Sequence, residues 1–127
     1  MENKKVVILH NKISDTPTTD ELDVLDQVND VNGTLKELGY ETSIVPFSFN
    51  LDEAMKNIKS EKPDFVFNLV EGIDNDGQLI TIAPAILDHL RIPYTGCTKE
   101  SMFVTSNKVL TKKIMQNAGI ANAEWVT

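Results

Sequence analysis

The stretch K-V-V-I-L-H, residues 5–10, decides how the rest of the chain is read. Its valines and isoleucine are β-branched, which suits a pleated strand. A strand with one wet face would alternate polar and apolar side chains. A continuous apolar run instead marks a strand covered on both faces, as in a parallel sheet flanked by helices. The next segment should therefore be helical. Val24, Val28, Val31, Leu35 and Leu38 recur at steps of four, three, four and three, one face of a helix. Thr18 or Thr19 would cap that helix and Gly39 would stop it.

The pattern then repeats. Thr42–Val45 is a short strand, and a helix over Leu51–Ser60 follows, capped by Asn50 with Glu53 three residues on. Leu51, Ala54, Met55 and Ile58 form its apolar side, and Pro63 closes the segment. F-V-F-N-L-V at 65–70 is a third buried strand. The polar turn E-G-I-D-N-D-G leads into a helix reaching about Leu90, with Pro84 near its first turns. Ile92–Thr95 reads as a fourth strand. Thr98 would cap a short helix over K-E-S-M-F-V, and Ser106 or Asn107 would cap the last, which ends at Gly119. This alternation gives an α/β fold, an open, doubly wound, mainly parallel sheet in three layers. The closing A-E-W-V-T reads as the start of another strand. The expected division is a domain over 1–122 and the first residues, 123–127, of a second, truncated one.

Bulk properties narrow the function classes. A chain of 127 residues fits one domain. A net charge of −7 disfavours nucleic acid and anionic membranes as partners. It leaves room for a small phosphorylated ligand, since local backbone dipoles can overrule global charge. One cysteine, Cys97, cannot form an internal disulfide, so a reducing cytoplasm is the expected location. The apolar run near the N-terminus is too short for a signal peptide or a membrane span.

Several motifs fail on chemistry. The turn after the first strand has no glycine, so the dinucleotide fingerprint is missing. Gly72 and Gly77 have phosphate-loop spacing, but Gln78-Leu79 stands where Lys-Ser/Thr is needed. A calcium loop beginning at Gly72 would need a bidentate glutamate where Ala83 stands. A phosphorelay receiver needs carboxylates at positions held by Asn68 and His10-Asn11. His10 and His89 lack partners at metal-ligand spacing and read as structural, so no metal site is expected. Cys97 reads as a packed small thiol. The run D-E-L-D-V-L-D-Q-V-N-D carries five acids and no base, and reads as a solvated helix face with acids near the N-terminus.

One combination does rise above background. It comprises Phe67 to Gly72 after a strand, Asp76-Gly77, then Arg91-Ile92-Pro93-Tyr94-Thr95-Gly96. Asn107-Lys108, Lys112 and Ala118-Gly119-Ile120 complete it. In order and spacing, over residues 65–127, this resembles the N-terminal domain of D-alanine–D-alanine ligases and ligase-like proteins of the ATP-grasp superfamily. The first 64 residues match only in element order.

The resemblance implies a Rossmann-like pre-ATP-grasp domain and an ATP-dependent carboxylate–amine ligase working through an acyl-phosphate. ATP and magnesium would serve the full-length enzyme, with the remaining ATP-grasp domains of the same chain as partners. This part alone would be inactive, with no catalytic residue of its own and no tightly bound cofactor. Lys108 would contact ATP phosphates, a task that suits a compact charge on a long stem. Relatives also use this domain in dimer contacts, so a homodimer is compatible, although no sequence patch marks an interface.

Two departures bear on the substrate. The family's L-H-G histidine is replaced by Glu71, which can pair with a substrate ammonium or serve as a turn carboxylate accepting backbone N–H bonds. The glycine-rich pattern carrying a substrate-binding glutamate after the first strand is missing, and Asp20 or Glu21 would stand in for it. A stand-alone, non-catalytic α/β binding or regulatory domain is the alternative.

Overall fold

The structure, a computed structural model, describes residues 4–126. Three strands, β1 (Lys5–Asn11), β2 (Glu41–Phe47) and β3 (Phe65–Asn68), form a parallel sheet in the order β2-β1-β3. β1 pairs with β2 from Lys5–Glu41 to Asn11–Phe47, and with β3 from Val6–Phe65 to Leu9–Asn68. The helices are α1 (Thr19–Glu37), α2 (Leu51–Glu61), α3 (Ile82–Leu90), α4 (Lys99–Ser106) and α5 (Lys108–Asn117). A short 3-10 turn, Gly77–Thr81, precedes α3. The fold is a small Rossmann-like α/β domain.

The unbroken apolar run of β1 explains the three layers. Val6 and Ile8 point to one side and pack with Val24, Val28 and Leu35 of α1. Val7 and Leu9 point to the other, where Val45, Phe47, Ala54, Ile58, Ala83 and Leu87 form a second core with α2 and α3. None of these four β1 side chains is more than 1% exposed. Each such burial contributes roughly 1.5–3 kcal/mol before conformational entropy is set against it. A central strand contributing to both cores cannot shift register without moving its side chains to the wrong layer.

Local signals place the helix ends. Thr18 caps α1 in a reciprocal box with Glu21, Asn50 caps α2 by accepting from the Glu53 amide, and Thr98 and Asn107 cap α4 and α5. Gly39 (φ 87°) and Gly119 (φ 72°) lie just beyond α1 and α5 in the left-handed region that glycine tolerates. Leu38 departs from the expected helix face: it caps the end of α1 and is 68% exposed.

The sheet is narrower than the sequence pattern predicts. The expected fourth strand at 92–95 is a single parallel bridge between Val66 and Tyr94. Pro93 has no N–H with which to extend that ladder towards Asp64. At the other end the Asn68 N–H is taken by Thr95 Oγ1 at 3.1 Å. β3 stops at Asn68, two residues early, because the Asn68 side-chain oxygen accepts the Val70 N–H at 3.1 Å. Residues 123–126 form no regular strand, and Thr127 lies outside the described residues. Among the described residues no helix is long and apolar enough to cross a membrane.

Candidate functional site

In the order β2-β1-β3, the chain leaves β1 through α1 on one face of the sheet and leaves β3 towards α3 on the other. The loops after β1 and β3 therefore part at the carboxyl ends of the strands, where open α/β sheets bind ligands. A cleft of about 230 Å³ lies there. Asn11 and Lys12 border it from the end of β1, and Asp20 and Glu21 from the first turn of α1. Glu71, Gly72, Asp74 and Asn75 border it from the loop after β3. Three of the residues expected from sequence, Asp20, Glu21 and Glu71, thus meet at one cleft.

The three carboxylates differ in what they have left to offer. Glu21 is buried and already engaged: Oε1 accepts from the Ser14 amide at 3.1 Å, and Oε2 from Ser14 Oγ at 2.9 Å and the Thr18 amide at 2.8 Å. Those bonds, led by the Thr18 amide, hold its carboxyl below the usual carboxylate range. Its place is structural, pinning the loop between β1 and α1. Asp20 is exposed beside it. Glu71 is also exposed, and the bland role of accepting turn amides is not what it does. Instead its own amide donates to Asn11 Oδ1 at 2.8 Å. Among the described residues no donor meets the carboxylates of Asp20 or Glu71.

The loop bearing Glu71 is a miniature hairpin. Ile73 and Asp76 exchange backbone hydrogen bonds around Asp74 (φ 49°) and Asn75 (φ 62°), a two-residue turn of the type that requires positive φ at both positions. Ile73, 1% exposed, anchors the hairpin in the core. A β-carbon at Gly72 would lie 2.5 Å from the Asp76 carbonyl oxygen, so the loop closes only around glycine. Asp76 then accepts the Gln78 amide at 2.9 Å and starts the 3-10 turn. The stretch that failed as a calcium loop is a rigid stem for Glu71.

Lys108 is not among the residues bordering the cleft. It is the first residue of α5, exposed, behind the Asn107 cap. Lys112, one turn on, donates to the Ala123 carbonyl at 3.0 Å and ties the C-terminal segment to α5. Cys97 is exposed, not packed, because it follows Gly96 (φ 92°) in the turn leading to α4. His10 is buried, with Nδ1 2.7 Å from the Asn11 carbonyl, and burial lowers its pKa against the raising effect of that bond. His89 is exposed in the last turn of α3.

Among the described residues no group of three or more histidine, cysteine or carboxylate side chains is arranged to hold a metal ion. The residues that sequence reasoning missed are Asn11, Lys12, Asp74 and Asn75. By sequence Asn11 reads only as a failed acid, although its place at the end of the central strand marks it for the switch point.

No protein-family profile matches the chain. It is 30% identical over 95 residues to a D-alanine–D-alanine ligase from Maridesulfovibrio salexigens, covering 75% of this chain and 30% of that protein. It is 33% identical over 95 residues to the Aquifex aeolicus D-alanine–D-alanine ligase, covering 73% and 30%. It also shares 30% identity over 95 residues with an uncharacterised protein of Sinorhizobium fredii, covering 71% and 28%. The chain therefore spans under a third of the length of these curated relatives.

Proposed function

We propose that this chain is the N-terminal, substrate-side domain of an ATP-dependent carboxylate–amine ligase, joining D-alanine or a related amino acid. Residues 1–122 would form the domain, and 123–127 would lead into the ATP-grasp part. The observation that carries this reading is the similarity to D-alanine–D-alanine ligases across about three-quarters of the chain. The cleft supports it, because unengaged carboxylates, Asp20 and Glu71 among them, lie where an open α/β sheet takes its ligand.

A carboxylate is a poor electrophile at neutral pH, and ATP would activate it as an acyl-phosphate, releasing ADP. A second amine then attacks the carbonyl carbon, phosphate leaves with the bonding pair, and the attacking nitrogen loses its proton. The residues of this chain would bind and orient. Glu71 would hold the ammonium of the first amino acid in a charge-assisted hydrogen bond, which a neutral histidine does less well. Asp20 would flank the same ammonium, and Glu21 would keep the loop in place. Lys108 would meet nucleotide phosphates from the domain edge. Magnesium would be held by residues outside this chain. Closing the cleft would exclude water, which otherwise hydrolyses an acyl-phosphate.

The test is amino-acid-dependent ADP release by the natural gene product at its full coding length, over a panel that includes D-alanine. Turnover with D-alanine alone makes the Glu71 replacement compatible with D-alanine ligation. Turnover with other amino acids makes Glu71 the residue of changed specificity. No release with any amino acid overturns the ligase reading in favour of a non-catalytic binding domain.

A further inference from the structure

The cleft at the switch point contains one cation among its acids. Lys12 directly follows β1, and its amide donates to the Phe47 carbonyl at 2.9 Å, so the β1–β2 pairing fixes the base of its side chain. The base of Glu71 is fixed by the neighbouring residue Asn11, through the 2.8 Å bond to the Glu71 amide. Asn11 therefore sets the spacing between the two charged stems. Both residues border the same cleft, yet among the described residues neither is in a salt bridge, with the other or with anything else.

Two opposite charges on backbone-anchored stems, both bordering one cleft and not neutralising each other, are complementary to a ligand that carries both charges. Glu21 is unavailable for that task, since Ser14 and Thr18 occupy its oxygens. A ligand with an ammonium alone can pair with Glu71, with Asp20 and Asp74 also on the rim, but it leaves Lys12 without a counter-charge from the ligand. A ligand with a carboxylate alone is disfavoured more strongly, since it meets Glu71, Asp20 and Asp74 as like charges.

We propose that Lys12 is a specificity-determining residue that holds the carboxylate of a zwitterionic amino acid while Glu71 holds its ammonium. The inference rests on the substrate-cleft reading above and adds to it a residue and a rule of discrimination. The cleft selects for charge separation within the ligand, and the lysine supplies the anionic half of that selection.

Three probes separate the two halves: D-alanine, ethylamine, which lacks its carboxylate, and propionate, which lacks its ammonium. Binding to the 127-residue chain is read from amide chemical shifts of residues 11, 12, 71 and 72. D-alanine should bind about tenfold or more tightly than either half-probe, the scale of one charge-assisted contact. Lys12→Gln should bring D-alanine to the level of ethylamine and leave ethylamine no weaker. Lys12→Arg should retain most of the preference. If Glu71→Gln weakens D-alanine but Lys12→Gln does not, the Lys12 assignment is overturned while the substrate-cleft reading stands. If D-alanine shifts none of these amides in the unsubstituted chain, both are overturned.

Discussion

The side-chain oxygen of Asn11 accepts the backbone N–H of Glu71 at 2.8 Å, joining the ends of two neighbouring strands across 60 residues of sequence. β1 and β3 are paired only as far as Leu9 and Asn68, so this bond carries their alignment beyond the ladder and into the cleft. It fixes where Glu71 starts, and thereby where its carboxylate can reach.

Asn11→Ala should therefore loosen the loop more than it unfolds the domain. Losing this one exposed bond costs about 0.5 kcal/mol of stability, the low end for a protein hydrogen bond, readable by urea denaturation. Hydrogen exchange gives the sharper signal: the Glu71 amide should lose protection while the Val7 and Ile8 amides keep theirs. Unchanged protection at Glu71 would mean that the bond does not hold the loop.

Two glycines should respond in opposite directions to the same change. At Gly72 an added β-carbon would sit 2.5 Å from the Asp76 carbonyl, a backbone atom that cannot step aside. Gly72→Ala should cost about 1–3 kcal/mol and disturb the hairpin below Glu71. Gly33 lies inside α1, where a β-carbon would meet no neighbouring atom within 4 Å. Gly33→Ala should stabilise by about 0.5–1 kcal/mol, the helix-propensity difference. Thermal melts of the pair check both signs.

Acid should act in two stages. Burial lowers the His10 pKa from 6.5, so the unfolded chain takes up that proton first. Stability should fall as pH drops below 6.5 and level off once the folded imidazole also protonates. Glu21 behaves as a depressed carboxyl: its contribution is present above the unfolded value of 4.5 and is lost as pH falls through the lower folded pKa. Urea midpoints taken from about pH 8 to about pH 3 should show both limbs. Glu21→Gln should flatten the lower limb and His10→Asn the upper.

The layers of this fold are legible because β1 carries them in its own composition: the consecutive apolar residues Val6, Val7, Ile8 and Leu9 leave no face for water. The caps are legible because Thr18, Asn50, Thr98 and Asn107 each act on an amide three residues away. What fails to show is non-local or side-chain-mediated. The expected strand at 92–95 is undone by Pro93 and by the Thr95 hydroxyl taking the Asn68 amide, a contact 27 residues apart. Cys97 reads as packed by residue type, yet a positive-φ glycine before it turns the chain outward.

The candidate site divides the same way. Glu71, Asp20 and Glu21 stand out by position and charge, and the fold brings them to one cleft. That Thr18 engages Glu21 follows from their capping-box spacing, whereas the Ser14 contacts that complete the engagement depend on the path of a loop, which no spacing encodes. Asn11 and Lys12 carry no motif, and only the sheet order places them opposite Glu71.

The most direct test of this partition is a pair of variants in the ADP-release assay with the full-length gene product and its best amino acid. Glu71→Gln should raise the KM for the amino acid about tenfold, the scale of one charge-assisted contact, and leave the KM for ATP within about twofold. Lys108→Ala should do the reverse. An amino-acid KM that is unchanged in Glu71→Gln would contradict the account, because the cleft between β1 and β3 would then not be where the substrate binds.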